Sequence, residues 1–325
     1  MFFPRSWHSA SRLINGKVLV AGGEGVNGTL VTAELYDSST GTWTKTGNMS
    51  VARNAHTAST LTNGTILVAG GYDGNFALAS AELYYVSTGI WTMTRNMSVV
   101  RYAHTALTLT NGKILVAGGY DGNFALASAE VYDPSTGIWT MTGGMSDARY
   151  GHIATILTNG QVLVAGGYGN IDYLNTAELY NPSTGIWTNT GDMSNSLYLQ
   201  TASVLGNGKI LSAGGYGDSG FLNGAELYDP ATGIWTATGN MSVGRYIHTA
   251  SVLTNGNVLV AGGDSFAGFL NSVELYNPSL GVWTRGGNLN VSRFAHTASI
   301  LNDGRVLVAG GEGNDGCLKR AEIYA

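Results

Sequence analysis

Cysteine is nearly absent from this chain. One residue, Cys317, among 325 excludes an internal disulfide, which fits a reducing compartment. Charge is scarce as well: Asp, Glu, Lys and Arg together make 11% of the residues and leave a net charge of −5. That balance lacks the basic surface a nucleic-acid partner requires. Apolar runs are short. The run at 114–117 falls far below the ~20 residues of a membrane-crossing helix, so no membrane partner is expected. No segment carries the 3.6-residue apolar period of an amphipathic helix. Met1 falls in register with Met49, so the opening residues read as part of the repeat described next. On that reading no signal peptide is expected, and a cytoplasmic location is favoured.

Glycine, by contrast, is abundant, and it is ordered. A Gly-Gly pair stands at 22, 70, 118, 166, 214, 262 and 310, a fixed period of 48 residues. A period of this size signals a repeat architecture. Seven such units imply one array, and we expect a single domain over 1–325.

Residues 101–146 show what one unit contains. Residues 103–110 alternate apolar and small polar side chains, the pattern of a strand. Asn111-Gly112 follows and predicts a two-residue type I′ hairpin. Residues 113–117 are apolar on both faces, so both faces must be covered. Gly118-Gly119 ends that strand, and 120–127 reads as a loop. A third strand covers 128–132. Asp133-Pro134-Ser135-Thr136-Gly137 turns the chain, and a fourth strand carries Trp139. Four short antiparallel strands, repeated seven times with no distinct end caps, make a seven-bladed β-propeller. The chain stops after the third strand of its last unit, so blade 7 is expected to have three strands and to pack by its face against blade 1.

The double glycine after four apolar residues, followed by a Tyr and a Trp seven apart (Tyr132 and Trp139, Tyr84 and Trp91, Tyr180 and Trp187), resembles the kelch-repeat family over the whole chain. The resemblance implies a propeller of four-stranded kelch blades. Kelch propellers host binding modules as well as unrelated enzymes, so the fold does not choose between them. Kelch-like copper-radical oxidases use two Tyr, two His and a Tyr–Cys crosslink. Cys317 lies in a blade 7 loop, and no His stands outside the regular set, so neither that chemistry nor a metal or cofactor is expected.

Charged residues recur with the period. An Arg precedes nearly every first strand (Arg5, Arg53, Arg101, Arg149, Arg245, Arg293). A His follows three residues later, and a Glu sits in every third strand (Glu34, Glu82, Glu130, Glu178, Glu226, Glu274, Glu322). A carboxylate between packed sheets must be paired and hydrogen-bonded. A guanidinium supplies that geometry, so we expect structural Arg–Glu pairs linking strands or neighbouring blades. Six equivalent His spread around a ring cannot converge on one ion, and they read as structural donors. Unit five breaks the rule: Leu197 replaces the Arg, Gln200 the His, and Ser212 a Val.

Strands alternate in direction, so the loops after the Gly-Gly pairs and the loops entering each first strand share one face. These loops vary, and they carry carboxylates beside aromatic rings. The candidate ligand-binding face is Tyr72, Asp73, Tyr102, Tyr120, Asp121, Tyr150, Tyr168, Asp172, Tyr198, Tyr216, Asp218, Tyr246, Asp264 and Phe294. The reading is a non-catalytic module for a protein or peptide. A carbohydrate-binding propeller is the alternative, and a kelch-type enzyme of the galactose-oxidase-like class stands third. Residues 69–82 repeat as 117–130 without change, so duplication shaped part of this face.

Overall fold

Short β-branched strands that are apolar on both sides cannot stand alone, and here each is covered by another sheet. In the computed structural model, which describes residues 1–324, the chain is all-β and folds as a seven-bladed β-propeller. Blades 1–6 are four-stranded antiparallel sheets and blade 7 has three strands. Ala325, the last residue of the expected domain, lies outside the described residues. No helix among them is long and apolar enough to cross a membrane. The chain divides into two compact units. One is Met1–Thr142 with Ala295–Ala325 and carries blades 1, 2, 3 and 7; the other is Gly143–Phe294 and carries blades 4, 5 and 6.

Blade 3 shows the common register. Its first strand, Thr105–Thr108, pairs with Ile114–Ala117, which pairs with Ala129–Asp133, which pairs with Ile138–Met141. Tyr132 and Trp139, seven apart in sequence, are direct cross-strand partners with ring centroids 4.9 Å apart. The Trp139 indole donates to the carbonyl of Arg95 in blade 2, and the Tyr132 hydroxyl meets Thr94. The same device ties blades 4, 5 and 6 of the other unit, where Tyr228 meets Thr190 and Trp283 donates to Gly239.

Between blades the core is dry and repetitive. In the first unit, Leu19 and Ala21 of blade 1 pack on Ile66, Val68 and Tyr84 of blade 2. Val18, Val20 and Tyr36 of blade 1 pack on Leu301, Leu307 and Ala309 of blade 7, the face packing expected of those two blades. In the second unit, Leu163, Ala165 and Ala177 of blade 4 meet Ile210 and Tyr228 of blade 5.

The Asn-Gly turns differ from expectation. Type I′ needs positive φ at both central residues, but only Gly112 has it, at 79°. The Gly112 amide donates to Leu109 and the Leu109 amide to Lys113. This is a type I turn closed by a left-handed glycine, a three-residue loop. Asn111 stays at negative φ, where its Oδ1 accepts the Lys113 amide. The segment after Gly-Gly is also more ordered than a plain loop. Blades 1, 5, 6 and 7 form two-residue hairpins there, such as Tyr216–Gly217 with Gly220–Phe221.

The Arg–Glu pairs form within a blade. Arg101 and Glu130 are both fully buried, with Nη2 to Oε1 at 3.1 Å. Nη1 donates to the carbonyls of Gly118 and Ser128, and Nη2 also to the Ser128 hydroxyl. The Glu130 carboxylate accepts the amides of Ser98 and Val99 as well. Arg5–Glu34, Arg53–Glu82, Arg149–Glu178 and Arg245–Glu274 repeat the pair. In blade 5 Glu226 has no such partner. Its carboxylate accepts the amide and hydroxyl of Ser194 instead.

His56, His104 and His248 each bridge to the preceding blade. His56 Nε2 lies 2.8 Å from the Ser9 hydroxyl, and His104 Nε2 2.8 Å from the Thr57 hydroxyl. In the other unit His248 meets Thr201 at 3.0 Å. Burial, and then the adjacent Arg53 and Arg149, push His56 and His152 down to about 3.

Two predictions follow from these buried groups. Removing one partner of a buried pair leaves a bare charge, so Arg101→Leu should cost about 3–5 kcal/mol. Adding Glu130→Leu should recover most of it, and urea unfolding of the single and double variants measures both. An unfolded His titrates near 6.5, far above these folded values. The unfolded chain therefore takes up protons that the fold refuses, and stability is lost as pH falls through 6.5 toward 3. Each such His adds a slope of up to about 1.4 kcal/mol per pH unit. Urea midpoints should fall between about pH 7 and about pH 5, less steeply in His56→Gln.

Candidate functional site

In the blades that carry it, the buried Arg ties the segment entering the first strand to the Gly-Gly end of the second, as Arg101 does at Gly118, and the next residue pairs with the residue after Gly-Gly. Blade 5 keeps that pairing with Leu197 in place of the Arg. Asn54 bridges Tyr72, Tyr102 bridges Tyr120, Tyr150 bridges Tyr168, Tyr198 bridges Tyr216 and Tyr246 bridges Asp264. Gly71 permits this approach: its φ is positive, and a Cβ there would stand 2.7 Å from the Asn54 carbonyl. The residue after each bridge is left-handed even where it is not glycine (Trp7, Ala55, Ala103, Leu199, Ile247, Ala295). These residues link blades through their main chain. In the first unit Trp7 donates to Ala295, Ala55 to Trp7 and Ala103 to Ala55; in the second, Leu199 donates to Gly151 and Ile247 to Leu199.

In the first unit the candidate residues form a small group. Tyr102 lies 5.4 Å from Tyr72 and 5.6 Å from Tyr120, centroid to centroid. Asp73 and Asp121 each use Oδ1 on their own loop, accepting the amides of Asn75 and Phe76 and of Asn123 and Phe124. They hold loop tips on which Phe76 and Phe124 are exposed.

The second unit gathers a larger set. Tyr198 sits within 6.4 Å of Tyr150, Tyr168 and Tyr173. Tyr173 continues to Tyr216 at 5.8 Å, and Tyr216 to Phe221 and Tyr246 at 5.1 and 5.5 Å. Seven rings thus form one half-buried cluster, with Asp172 and Asp218 exposed beside it. Tyr173 and Phe221 connect rings that the sequence places on separate loops. Burial, then the Asp264 carboxylate, raise the Tyr246 phenol above its ordinary value; Asp264 also holds the Ser265 amide. Phe294 packs apart from the cluster, on Phe269 at 4.6 Å. The rings are too closely packed to admit a cation between them. They offer edges and hydroxyls as a platform. Phe266 stands 94% exposed on a neighbouring loop tip of the same unit.

Gly151 is the residue that sequence reasoning passed over. Its counterparts in blades 2 and 3, Ala55 and Ala103, share its left-handed backbone, so φ does not demand glycine here. Space does, because a Cβ would lie 2.2 Å from the Tyr198 ring.

Clefts also occur at the opposite ends of the blades. One is lined by Thr62, Asn111, Lys113, Asp133 and Ser135. Its polar groups are spent on one another: Lys113 Nζ meets Asp133 Oδ2 at 3.0 Å, and Ser135 Oγ donates to Asp133 Oδ1. It is a seam between repeated turns, with little left to offer a ligand.

A family model described as the KLHDC2/KLHL20/DRC7 Kelch-repeats domain matches residues 7–197. A Kelch motif model matches 198–242 and 245–290. No curated protein matches the sequence. Among solved structures, a fungal alcohol oxidase of the AA5 family in complex with copper aligns with a TM-score of 0.82 at 22% identity. The alignment covers 99% of this chain and 74% of that one. At that identity the likeness shows the fold alone. The donor set here does not fit copper. Among the described residues no three His, Cys, Asp or Glu come together as metal ligands. The Cys317 thiol lies 3.6 Å from the Ser6 hydroxyl and donates to the Glu24 carbonyl.

If Tyr198 is seated by the missing Cβ, Gly151→Ala should destabilise by about 1–3 kcal/mol through overpacking. The cost should shrink in a Tyr198→Ala background. A double-mutant cycle in urea reads the coupling.

Proposed function

We propose, from the premise that this chain belongs to the kelch-repeat family, that it is a non-catalytic binding module. Its ligand is a protein or peptide, held on the loops that follow Gly-Gly and enter the first strands. The observation that carries this reading is the seven-ring cluster around Tyr198 and Tyr216. Tyrosine supplies a rigid amphipathic surface at low entropic cost, and such rings dominate the energetics of protein interfaces. Exposed apolar tips at Ile171 and Phe266 of the same unit extend the surface available to a partner. The rest of the scaffold is too uniform to discriminate between ligands, whereas these loops differ among blades 4, 5 and 6.

A carbohydrate ligand is the second reading, favoured by the exposed Asp172 and Asp218 beside the rings. A glycan array with the wild-type protein separates the two.

Affinity capture with wild type and with Tyr198→Ala/Tyr216→Ala should show partners lost from the variant. Each truncated anchor should cost about 2 kcal/mol, roughly thirtyfold in affinity. Lys113→Ala, at the opposite ends of the blades, should change nothing. Equal capture by the two proteins refutes the reading.

A further inference from the structure

Six blades fill one position with their own arginine, and blade 5 does not. Where blade 3 has Arg101, blade 5 has Leu197, whose side chain ends before the guanidinium begins. Ser128, whose hydroxyl accepts from Arg101, is replaced by Gly224, and a Cβ built there meets nothing within 4 Å. The two changes clear the same place. The carboxylate and main-chain acceptors remain: Glu226, the counterpart of Glu130, is kept and only 5% exposed, and the carbonyls of Gly214 and Gly224 stand where those of Gly118 and Ser128 serve Arg101. Ser212 is directly opposite Glu226 across the sheet. It puts a hydroxyl where other blades have Val, is 1% exposed, and finds no hydrogen-bond partner among the described residues.

The place borders solvent. In blade 4 the half-exposed Asp147 carboxylate reaches the equivalent guanidinium, 3.5 Å from Arg149 Nη2. In blade 5 the exposed Ser194 touches Glu226 directly. A buried carboxylate without a cation is costly, and it gains most from a charge-assisted, forked donor.

We propose that blade 5 is a receptor site for a guanidinium group supplied from outside, the side chain of an arginine in a peptide ligand. The chain itself displays the bound geometry five times, at Arg5, Arg53, Arg101, Arg149 and Arg245. The incoming fork donates to Glu226 and to the carbonyls of Gly214 and Gly224, and Ser212 lies on the same face of the sheet. The peptide origin of the arginine rests on the binding-module reading; the guanidinium site does not.

Calorimetric titration with N-acetyl-arginine amide tests the site without any partner. The expected result is saturable binding to wild type. N-acetyl-citrulline amide, of the same shape but uncharged, should bind at least about tenfold more weakly. Leu197→Arg, which refills the place from within, should weaken arginine-amide binding at least as much and raise the thermal midpoint. Should Leu197→Arg fail to fold, Glu226→Gln, which removes the charge the fork pairs with, carries the comparison. No saturable binding to wild type, equal binding of the citrulline compound, or undiminished binding to the refilled variant overturns the site. If arginine amide binds while tyrosine substitution leaves partner capture intact, the site stands and the binding-face reading falls.

Discussion

Each of blades 1 to 6 buries a carboxylate between two sheets, and the fold is arranged to make that tolerable. Desolvating a carboxylate costs several kcal/mol unless cation and hydrogen-bond donors surround it. In blade 3 the charge is met by one guanidinium and two main-chain amides, all from the segment that enters the first strand. The segment is therefore held at three points. The residue after the Arg has little freedom, and it pairs with the residue after Gly-Gly. The next residue is driven into the left-handed region, where its amide faces a carbonyl of the adjoining blade. In blade 3 the position of Tyr102 against Tyr120 follows from that buried charge, and blade 5 keeps the same pairing without the guanidinium.

Much of this was legible because the chain repeats itself. The strands, the Tyr–Trp pairs and the three-stranded blade 7 follow from a 48-residue period and from alternation. The Arg–Glu pairs followed from charge arithmetic, although sequence alone left open whether they join strands or blades. The turn type was not legible. Asn-Gly is compatible with two geometries, and only the φ of Asn111 separates them. The small hairpins after Gly-Gly escaped notice because two-residue strands have no detectable period. Gly151 escaped because its reason is a ring 47 residues further on. No local pattern encodes such a contact.

A wheel of identical wedges presents the same chemistry at each position, so recognition has to come from the departures. Blades 2 and 3 share residues 69–82 and 117–130 without change and present equivalent loops. In the second unit the departures gather on the faces that blades 4 and 5 turn to each other. Gly151 admits the Tyr198 ring there. Leu197, Ser212 and Gly224 reshape the surroundings of Glu226.

These replacements are physically coupled, which separates them from independent drift. In the regular blades a His donates to, or accepts from, a hydroxyl of the preceding blade, as His56 does with Ser9. In blade 4 that hydroxyl position is Ile153, a buried apolar side chain. A histidine facing it would lose its partner in a dry interface, at a cost of about 1–3 kcal/mol. Blade 5 carries Gln200 there, and its Nε2 donates to the Ala165 carbonyl within blade 4. One change thus makes the other affordable. The same holds at Glu226, where losing the guanidinium is partly offset by the Ser194 hydroxyl. That hydroxyl supplies one neutral donor against the forked cation of the other blades. The carboxylate keeps unmet demand for positive charge, and the scaffold retains it at that one position.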